Sequence, residues 1–215
     1  MSKFISNFLY IASGATLTLK ILAGSILIGL SLGVLFSILR RHKICKAVVC
    51  GVVSVIRGTP TMLQISIVYF TLPSLFGFNL GILATGIIAL GINSAAYVSE
   101  ILRAGIESLP KGQFEAAYTL GVPSFYMWKD IILPQVVMNI FPALINETVT
   151  LLKETALIAT IGGMDIMRKS QVIAAEKYEY FTPLCTAAFV YYVLVLLIEF
   201  MGKKVERKRL YAKNL

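Results

Sequence analysis

Long apolar runs without charge are the feature that most constrains how this chain can fold. Residues 21–38 form a run of 18 residues that contains no Asp, Glu, Lys or Arg. A run of that length predicts a membrane-spanning helix. The whole chain is 57% hydrophobic and 14% charged, whereas an ordinary soluble domain carries about 25% charged residues. Since spanning segments must satisfy their backbone hydrogen bonds internally, the sequence predicts an all-α integral membrane protein.

Polar and turn-rich segments divide the chain into five predicted spans within one transmembrane domain, residues 1–215. The predicted spans are residues 13–39, 47–72, 80–104, 134–160 and 182–202. In the first span, Gly29 and Gly33 form a GxxxG pattern, which predicts the close approach of another helix. In the second span, residues 57–60 read RGTP, which predicts a break or kink whose freed carbonyls need partners.

The distribution of basic residues predicts the orientation in the membrane. Thirteen Lys and Arg residues lie in segments 40–46, 103–130 and 203–213, and four lie in the segments of the opposite side. The side richer in Lys and Arg is the cytoplasmic one. With five spans, the N-terminus is then outside and the C-terminus is in the cytoplasm. The net charge of +9 therefore indicates membrane orientation and not nucleic-acid binding.

The sequence offers no catalytic or metal site. Cys45, Cys50 and Cys185 are scattered without CxxC spacing, so neither a zinc site nor a redox pair is indicated. The single histidine, His42, lies in a basic loop, where a solvated side chain is expected. The chain also has no G-x-x-x-x-G-K-[ST] phosphate-binding loop, so we expect it to bind no ATP itself.

The segment between the third and fourth predicted spans has the pattern of two short helices joined by a turn. Glu115 is expected in the first turn of the first short helix, where a carboxylate stabilises the positive helix end. Gly121 stands where a glycine cap closes that helix, and Ser124 is expected to cap the second one. Pro134 is expected to open the fourth span, where its missing N–H costs nothing. The pattern predicts a rigid projection at the membrane face.

Within this segment, residues 115–134 follow a fixed pattern over twenty residues: EAA, three residues, Gly, nine residues, then I-x-L-P. The elements are Glu115, Ala116, Ala117, Gly121, Ile131, Leu133 and Pro134. This pattern resembles the signature loop of importer permeases of the ABC class. The resemblance implies a cytoplasmic coupling helix between spans 3 and 4 that contacts a separate ATPase subunit. The implied coupling residues are Gly112, Glu115, Ala116, Ala117, Gly121 and Pro134. The alternative is an amphipathic helix turn that only links two spans.

Three further segments are similar to the histidine/arginine/glutamine-type permeases of ABC-class polar amino acid importers. They are RGTP at 57–60, NSAAYVSEILRAGI at 93–106, and the set Asn146, Leu151, Lys153, Thr155 and Leu157. The resemblance covers about residues 14–202 and implies an ATP-driven importer that moves a polar amino acid into the cytoplasm. An ABC permease for another small solute is the alternative. A membrane channel or a membrane-embedded enzyme is less favoured, because the chain shows no inverted repeat and no nucleophile with a base.

The resemblance also implies the partners and the location. Two permease chains, identical or paired with a sister chain, sit on an ATPase dimer that binds ATP and Mg. An extracytoplasmic solute-binding protein delivers the amino acid, and the complex lies in the lipid bilayer of the inner (cytoplasmic) cell membrane. This chain itself is expected to hold no cofactor and no nucleic acid.

Polar residues at membrane depth are the candidates for function, because they are costly there. The candidates for substrate contact, carried over from the resemblance, are Gln64, Tyr69, Asn93 and Glu147. For each of them a buried hydrogen bond between helices is the alternative. Glu147 and Glu154 favour arginine, lysine or histidine as substrate, with glutamine next and glutamate still open.

A second set of intramembrane charges is expected to act structurally or to shape the cavity. This set is Arg57, Glu100, Arg103 and Lys153. Glu100, Arg103 and Glu107 are spaced i, i+3 and i+7, so they are expected to pair along one helix face. For Arg57, shaping the cavity and contacting the substrate both remain open.

Overall fold

The computed structural model describes residues 2–77 and 79–213, with side chains described within 3–77 and 79–206. All regular structure in these ranges is helical. The α-helices are α1 (Ser2–Ser13), α2 (Ala15–Leu39), α3 (Lys43–Gly58), α4 (Thr61–Ser66), α5 (Leu72–Phe76), α6 (Ile82–Glu107), α7 (Lys111–Thr119), α8 (Ser124–Tyr126), α9 (Leu133–Glu154), α10 (Ile166–Lys177) and α11 (Phe181–Lys213).

Among the described residues, four continuous helical segments are long and apolar enough to cross a membrane. They are Lys3–Leu39, Ile82–Glu107, Ser124–Ile161 and Phe181–Glu206. A fifth span exists if Lys43–Gly58 and Thr61–Phe76 together form one. Large apolar side chains such as Phe189, Leu197 and Phe200 are exposed along α11, as expected of a helix face that contacts lipid. The predicted all-α membrane fold is thereby confirmed, with four or five candidate spans among the described residues where the sequence predicted five.

The second predicted span is broken, and its two pieces meet at an angle of 104°. The break lies at Thr59, whose backbone is extended (φ −113°, ψ 144°), and at Pro60, which precedes α4. Proline causes it because its ring disfavours the helical conformation for the preceding residue and it has no N–H to donate. The predicted break at RGTP is confirmed, while the size of the bend did not follow from the sequence.

The helix that contains the fourth predicted span begins at Ser124, not at residue 134. Pro134 lies in the first turn of α9, as predicted, but a π-helical turn, Met127–Ile132, precedes α9 within the same helical segment. A π-turn shifts the hydrogen bonds to i→i+5, which accommodates a residue without an N–H. Ser124 is the first residue of α8 and does not cap it, since Pro123 occupies the capping position.

Helices α2 and α6 are packed closely through the glycines of the first span. A Cβ atom added at Gly29 would lie 2.9 Å from the Ser94 side chain, and one added at Gly33 would lie 2.6 Å from that of Val98. Real Cβ atoms do not approach so closely, so only glycine allows this helix separation. The close approach predicted from GxxxG is confirmed, and the partner helix is α6.

Replacing Gly33 with alanine is expected to lower the melting temperature of the purified chain in detergent. The new methyl group would press on Val98 and on the Ala95 carbonyl oxygen, 3.1 Å away, and such overpacking costs about 1–3 kcal/mol. Gly51→Ala in α3 is the matched control, because nothing lies within 4 Å of a Cβ at that position. Equal melting temperatures for the two variants would show that this contact does not limit stability.

Buried apolar residues from several helices form one core around the middle of the bundle. The cluster includes Ile21 of α2, Ile65 of α4, Leu90 of α6, Leu152 of α9 and Ile158 of the 3₁₀ helix Thr155–Ile161, which follows α9. All five are at most 1% exposed. This core fixes α4, α6 and α9 relative to one another, and these three helices carry the polar site described below.

Candidate functional site

A polar cavity of about 330 Å³ lies between α6 and α9. It is lined by Asn93, Tyr97, Ile101, Ala143, Asn146, Glu147, Thr150 and Glu154. Residues four apart share one helix face, which brings Asn93 and Tyr97 together on α6. The same spacing brings Asn146, Thr150 and Glu154 together on α9. Two polar helix faces therefore meet across the cavity.

Two carboxylates line this cavity, and each accepts a hydrogen bond from a hydroxyl group. Ser94 Oγ donates to Glu147 Oε1 at 2.8 Å, and Thr61 Oγ1 of α4 donates to Glu154 Oε1 at 3.3 Å. Among the side chains that the structure describes, no Lys or Arg forms an ion pair with either carboxylate. The cavity therefore offers acceptor oxygens to a cationic or amide group that enters it. No three His, Cys, Asp or Glu of the described residues are grouped to hold a metal ion.

Of the four residues predicted to contact substrate, the structure brings Asn93 and Glu147 together at the cavity. Gln64 does not line it, because its amide is used at the break in the second span. Gln64 Nε2 donates to the Ile56 carbonyl at 2.7 Å and to Thr59 Oγ1 at 2.8 Å. Its Oε1 accepts from Asn93 Nδ2 at 2.9 Å. Gln64 thus provides a partner for a carbonyl freed by the break and holds Asn93 in place.

Tyr69 also lies outside the cavity lining. It packs against the central apolar cluster, and its ring meets that of Phe70 edge to face at 4.8 Å between centroids. Tyr97 and Thr150, in contrast, line the cavity and were not among the predicted contacts. Both could have been predicted from helical spacing, because each lies four residues after a polar residue, Asn93 or Asn146, that lines the same cavity.

The charges near the end of α6 form a network centred on Glu100. Its carboxylate pairs with Arg103 at 2.9 Å, with Arg57 of α3 at 3.6 Å, and with Arg40, which follows α2. Arg103 also pairs with Glu107. The predicted pairing along one face of α6 is confirmed, and the network additionally ties the ends of α2 and α3 to α6.

The remaining predicted structural charges take different positions. The Arg57 guanidinium lies 5.3 Å from the centroid of the Tyr97 ring, so Arg57 connects the Glu100 network to the wall of the cavity. Lys153 is exposed and does not line the cavity, because it is turned by about 100° around α9 from Glu154. Lys203 and Glu199 form an i, i+4 ion pair at 3.9 Å on α11.

Helix α7 ends in a glycine cap of the Schellman type. Gly121 has φ +66°, a left-handed conformation that favours glycine. The Gly121 N–H donates to the Tyr118 carbonyl and the Val122 N–H donates to the Ala117 carbonyl, both at 3.0 Å. The predicted cap is confirmed. Glu115 lies in the second turn of α7 and not the first, because the helix begins at Lys111.

Side-chain contacts hold α7 against the spans. Ala117 is 3% exposed and belongs to an apolar cluster with Met127 and Ile132, so its small side chain faces inward. The side-chain amides of Gln113 and Gln135 donate to each other at 3.0 and 2.8 Å. The outward surface of this segment, which we term the α7 outer face, consists of the exposed residues Glu115, Ala116, Tyr118 and Leu120.

Comparison with known proteins agrees with these features. The family described as binding-protein-dependent transport system inner membrane component matches residues 25–211. The arginine transport system permease protein ArtQ of Bacillus subtilis is 47% identical over 96% of this chain and 95% of its own length. The putative glutamine transport system permease protein GlnP of Rickettsia typhi is 44% identical over the same shares of each.

Two solved structures share the fold. The crystal structure of an amino acid ABC transporter with histidines has a TM-score of 0.87 and 36% identity, covering 97% of this chain and 96% of that one. The MetNI methionine ABC transporter has a TM-score of 0.73 over 91% of this chain and 92% of that one, and at 19% identity it shows likeness of fold only. The chain therefore belongs to the family of inner membrane components of binding-protein-dependent transport systems.

Proposed function

We propose that this chain is the transmembrane subunit of an ATP-driven importer that moves a polar amino acid into the cytoplasm. The observation that carries the proposal is the polar cavity between α6 and α9, which is lined by two carboxylates without a basic partner among the described residues. Relatives that share this chain over nearly their whole length are named for arginine and glutamine transport. A solute with hydrogen-bond donors fits such a lining.

The cavity favours a cationic side chain. Glu147 and Glu154 are seven residues apart on α9 and line one cavity, so together they provide negative charge along its wall. Asn93 and Asn146 place amide groups at the same cavity, and an amide can both donate to and accept from an amino acid backbone. Arginine, lysine or histidine is the proposed substrate, with glutamine as the second choice.

The α7 outer face is the proposed contact with the ATPase. Glu115, Ala116 and Gly121 lie on an exposed, rigidly capped segment, whereas Ala117 supports that segment from inside. In this proposal ATP and Mg are bound by a dimer of ATPase subunits, a second permease chain completes the membrane part, and a soluble binding protein delivers the substrate outside. Switching the cavity from one side to the other requires several kcal/mol of differential binding, which closure of the ATPase dimer supplies.

The orientation belongs to the same proposal. The Lys- and Arg-rich segments, which include the segment carrying α7, face the cytoplasm, and the N-terminus is outside. The proposed location is the inner (cytoplasmic) membrane, which the protein crosses several times.

The test of this proposal is uptake of a panel of labelled amino acids by cells that contain or lack the protein. We expect the deletion to remove ATP-dependent uptake of one or a few polar amino acids and to leave apolar amino acids unaffected. A purified complex reconstituted in liposomes then excludes compensation by other transporters. Unchanged uptake of every polar amino acid in both systems would contradict the proposed substrate class.

Replacing Glu147 with glutamine is expected to reduce uptake of a cationic substrate by about 10- to 100-fold, because a charged hydrogen bond contributes about 1.5–3 kcal/mol. Glutamine keeps the size of the side chain and still accepts the hydrogen bond from Ser94. The measurement is initial uptake rate against concentration for arginine, lysine and glutamine.

Glu199→Gln is the matched control, because it removes the same charge from α11 near the end of the fifth span, outside the cavity. It is expected to leave uptake within about twofold of the original. If Glu147→Gln weakens uptake of the neutral and the cationic amino acids equally, then the carboxylate does not select for charge.

A further inference from the structure

A second cavity of about 230 Å³ lies at the end of the bundle where α2 and α6 end and α3 begins. Five charged side chains contribute to its lining. Four are basic, namely Arg40, Arg41, Lys46 and Arg103, and one is acidic, Glu107. The cavity shares no lining residue with the polar cavity between α6 and α9. The proposed transport function therefore leaves its role unexplained.

The basic groups of this cavity differ in how they are paired. Arg103 pairs with both Glu100 and Glu107, and Arg40 pairs with Glu100. Arg40 Nε is nevertheless buried without a hydrogen-bond partner.

Arg41 and Lys46 have no acidic partner among the described side chains. All eleven Asp and Glu residues of the chain fall within that described part, so no other carboxylate side chain of this chain is left to neutralise them. The Arg41 guanidinium carbon lies 3.9 Å from the centroid of the Trp128 ring. This stacking fixes the guanidinium plane and leaves its N–H groups free to donate.

The surroundings place this cavity at the boundary between water and lipid. Its basic residues lie at the ends of spanning helices, whereas Ile106 and Cys50 also contribute to its lining. A basic cavity at the ends of spanning helices matches a molecule whose anionic head lies at the membrane surface and whose apolar tail lies in the lipid.

We propose that this cavity binds the phosphate group of an anionic phospholipid. The preference of Lys and Arg for the cytoplasmic side of a membrane protein accounts by itself for basic residues at this end of the bundle. It does not account for two cations without an acidic partner at one cavity. Basic pockets between spanning helices bind phospholipid headgroups for this electrostatic reason. Arg41 also contacts Trp128, so the bound lipid lies next to the segment that carries α7.

The test uses the fluorescence of Trp128, the only tryptophan in the chain, in the purified full chain in a neutral detergent. Phosphatidylglycerol, phosphatidylcholine and inorganic phosphate are titrated separately. We expect a saturable change in emission with phosphatidylglycerol, and none with the other two at the concentration that saturates it. Saturation by phosphatidylcholine as well would overturn the assignment to an anionic lipid. Saturation by inorganic phosphate would assign the cavity to a free anion.

The decisive variant is Lys46→Gln, which keeps the contact between Arg41 and Trp128 and so keeps the reporter. Loss of one basic residue is expected to weaken the apparent affinity for phosphatidylglycerol about fivefold. Lys43→Gln is the matched control, because it removes the same charge from the first residue of α3, outside the cavity lining. We expect less than about a twofold change for the control, since an exposed charge outside the cavity acts only through the screened surface potential.

A second readout does not depend on tryptophan. Native mass spectrometry is expected to show phosphatidylglycerol retained on the full chain and absent from the double variant Arg41→Gln/Lys46→Gln. Both residues are exposed, so the double variant is expected to fold. Equal weakening by Lys46→Gln and Lys43→Gln, or equal lipid retention by the double variant, would mean diffuse attraction to the surface and would overturn the proposal.

Discussion

Gly121→Asp is expected to reduce transport by at least about 30-fold while the chain still inserts into the membrane in normal amount. The fold is retained because nothing lies within 4 Å of a Cβ at this position, and aspartate tolerates the left-handed backbone better than most residues. The loss arises on docking, because the carboxylate would lose its water at the contact with the ATPase. A central interface residue contributes about 2 kcal/mol or more, which corresponds to this factor.

The measurement is uptake of the amino acid that the deletion experiment identifies as the substrate, normalised to the amount of protein in the membrane. Gly121→Asn distinguishes the effect of the negative charge from the effect of adding a side chain at φ +66°, because asparagine has nearly the shape of aspartate and tolerates the same backbone conformation. It is expected to retain a larger share of transport than the aspartate variant. Gly51→Ala in α3 is a control outside the coupling segment, because a Cβ there also meets nothing within 4 Å. Normal uptake by Gly121→Asp would refute the proposed role of α7 in coupling.

Glu100→Ala is expected to lower the free energy of unfolding by about 3 kcal/mol, the cost of removing one partner from a buried ion pair. The Arg40 side chain is only 11% exposed and would be left as an uncompensated charge. Arg57 and Arg103 would lose their shared partner as well. The measurement is denaturant unfolding of the purified chain in detergent, at one pH and one ionic strength.

Glu199→Ala is the comparison for this effect. Its partner Lys203 is 75% exposed, and an exposed ion pair contributes less than about 1 kcal/mol. Adding Arg40→Met to Glu100→Ala is expected to recover part of the lost stability, since the double variant no longer buries an unpaired charge. If Glu100→Ala and Glu199→Ala unfold with equal free energies, the Glu100 network does not tie the helix ends together.

Properties that depend on neighbours along the chain were predictable from the sequence. The membrane location, the helical class and the approximate spans follow from the length and charge of apolar runs, because lipid admits only internally hydrogen-bonded segments. The cap at Gly121 and the pairing of Glu100 with Arg103 follow from spacing along one helix. The break at Pro60 follows from the missing N–H. In each case the cause lies within a few residues of its effect.

Contacts between residues far apart in the sequence required the tertiary structure. The family resemblance implied Gln64 as a substrate contact, whereas in the structure its amide binds the Ile56 carbonyl and Asn93, which is 29 residues away. The π-turn that precedes Pro134 was not predicted, because nothing in the local sequence reveals it. From the sequence, Arg40 and Arg41 were interpreted only as charges of a loop, whereas in the folded chain they contact Glu100 and Trp128 respectively.

The sequence by itself determined that this chain is a membrane protein of helices with a rigid capped segment between its third and fourth spans. Only the tertiary structure decided which polar residues meet in a cavity and which are used to hold helices together. The physical reason is that helical periodicity sets the face on which a side chain lies, whereas the close packing of α2 against α6 at Gly29 and Gly33 sets which faces meet.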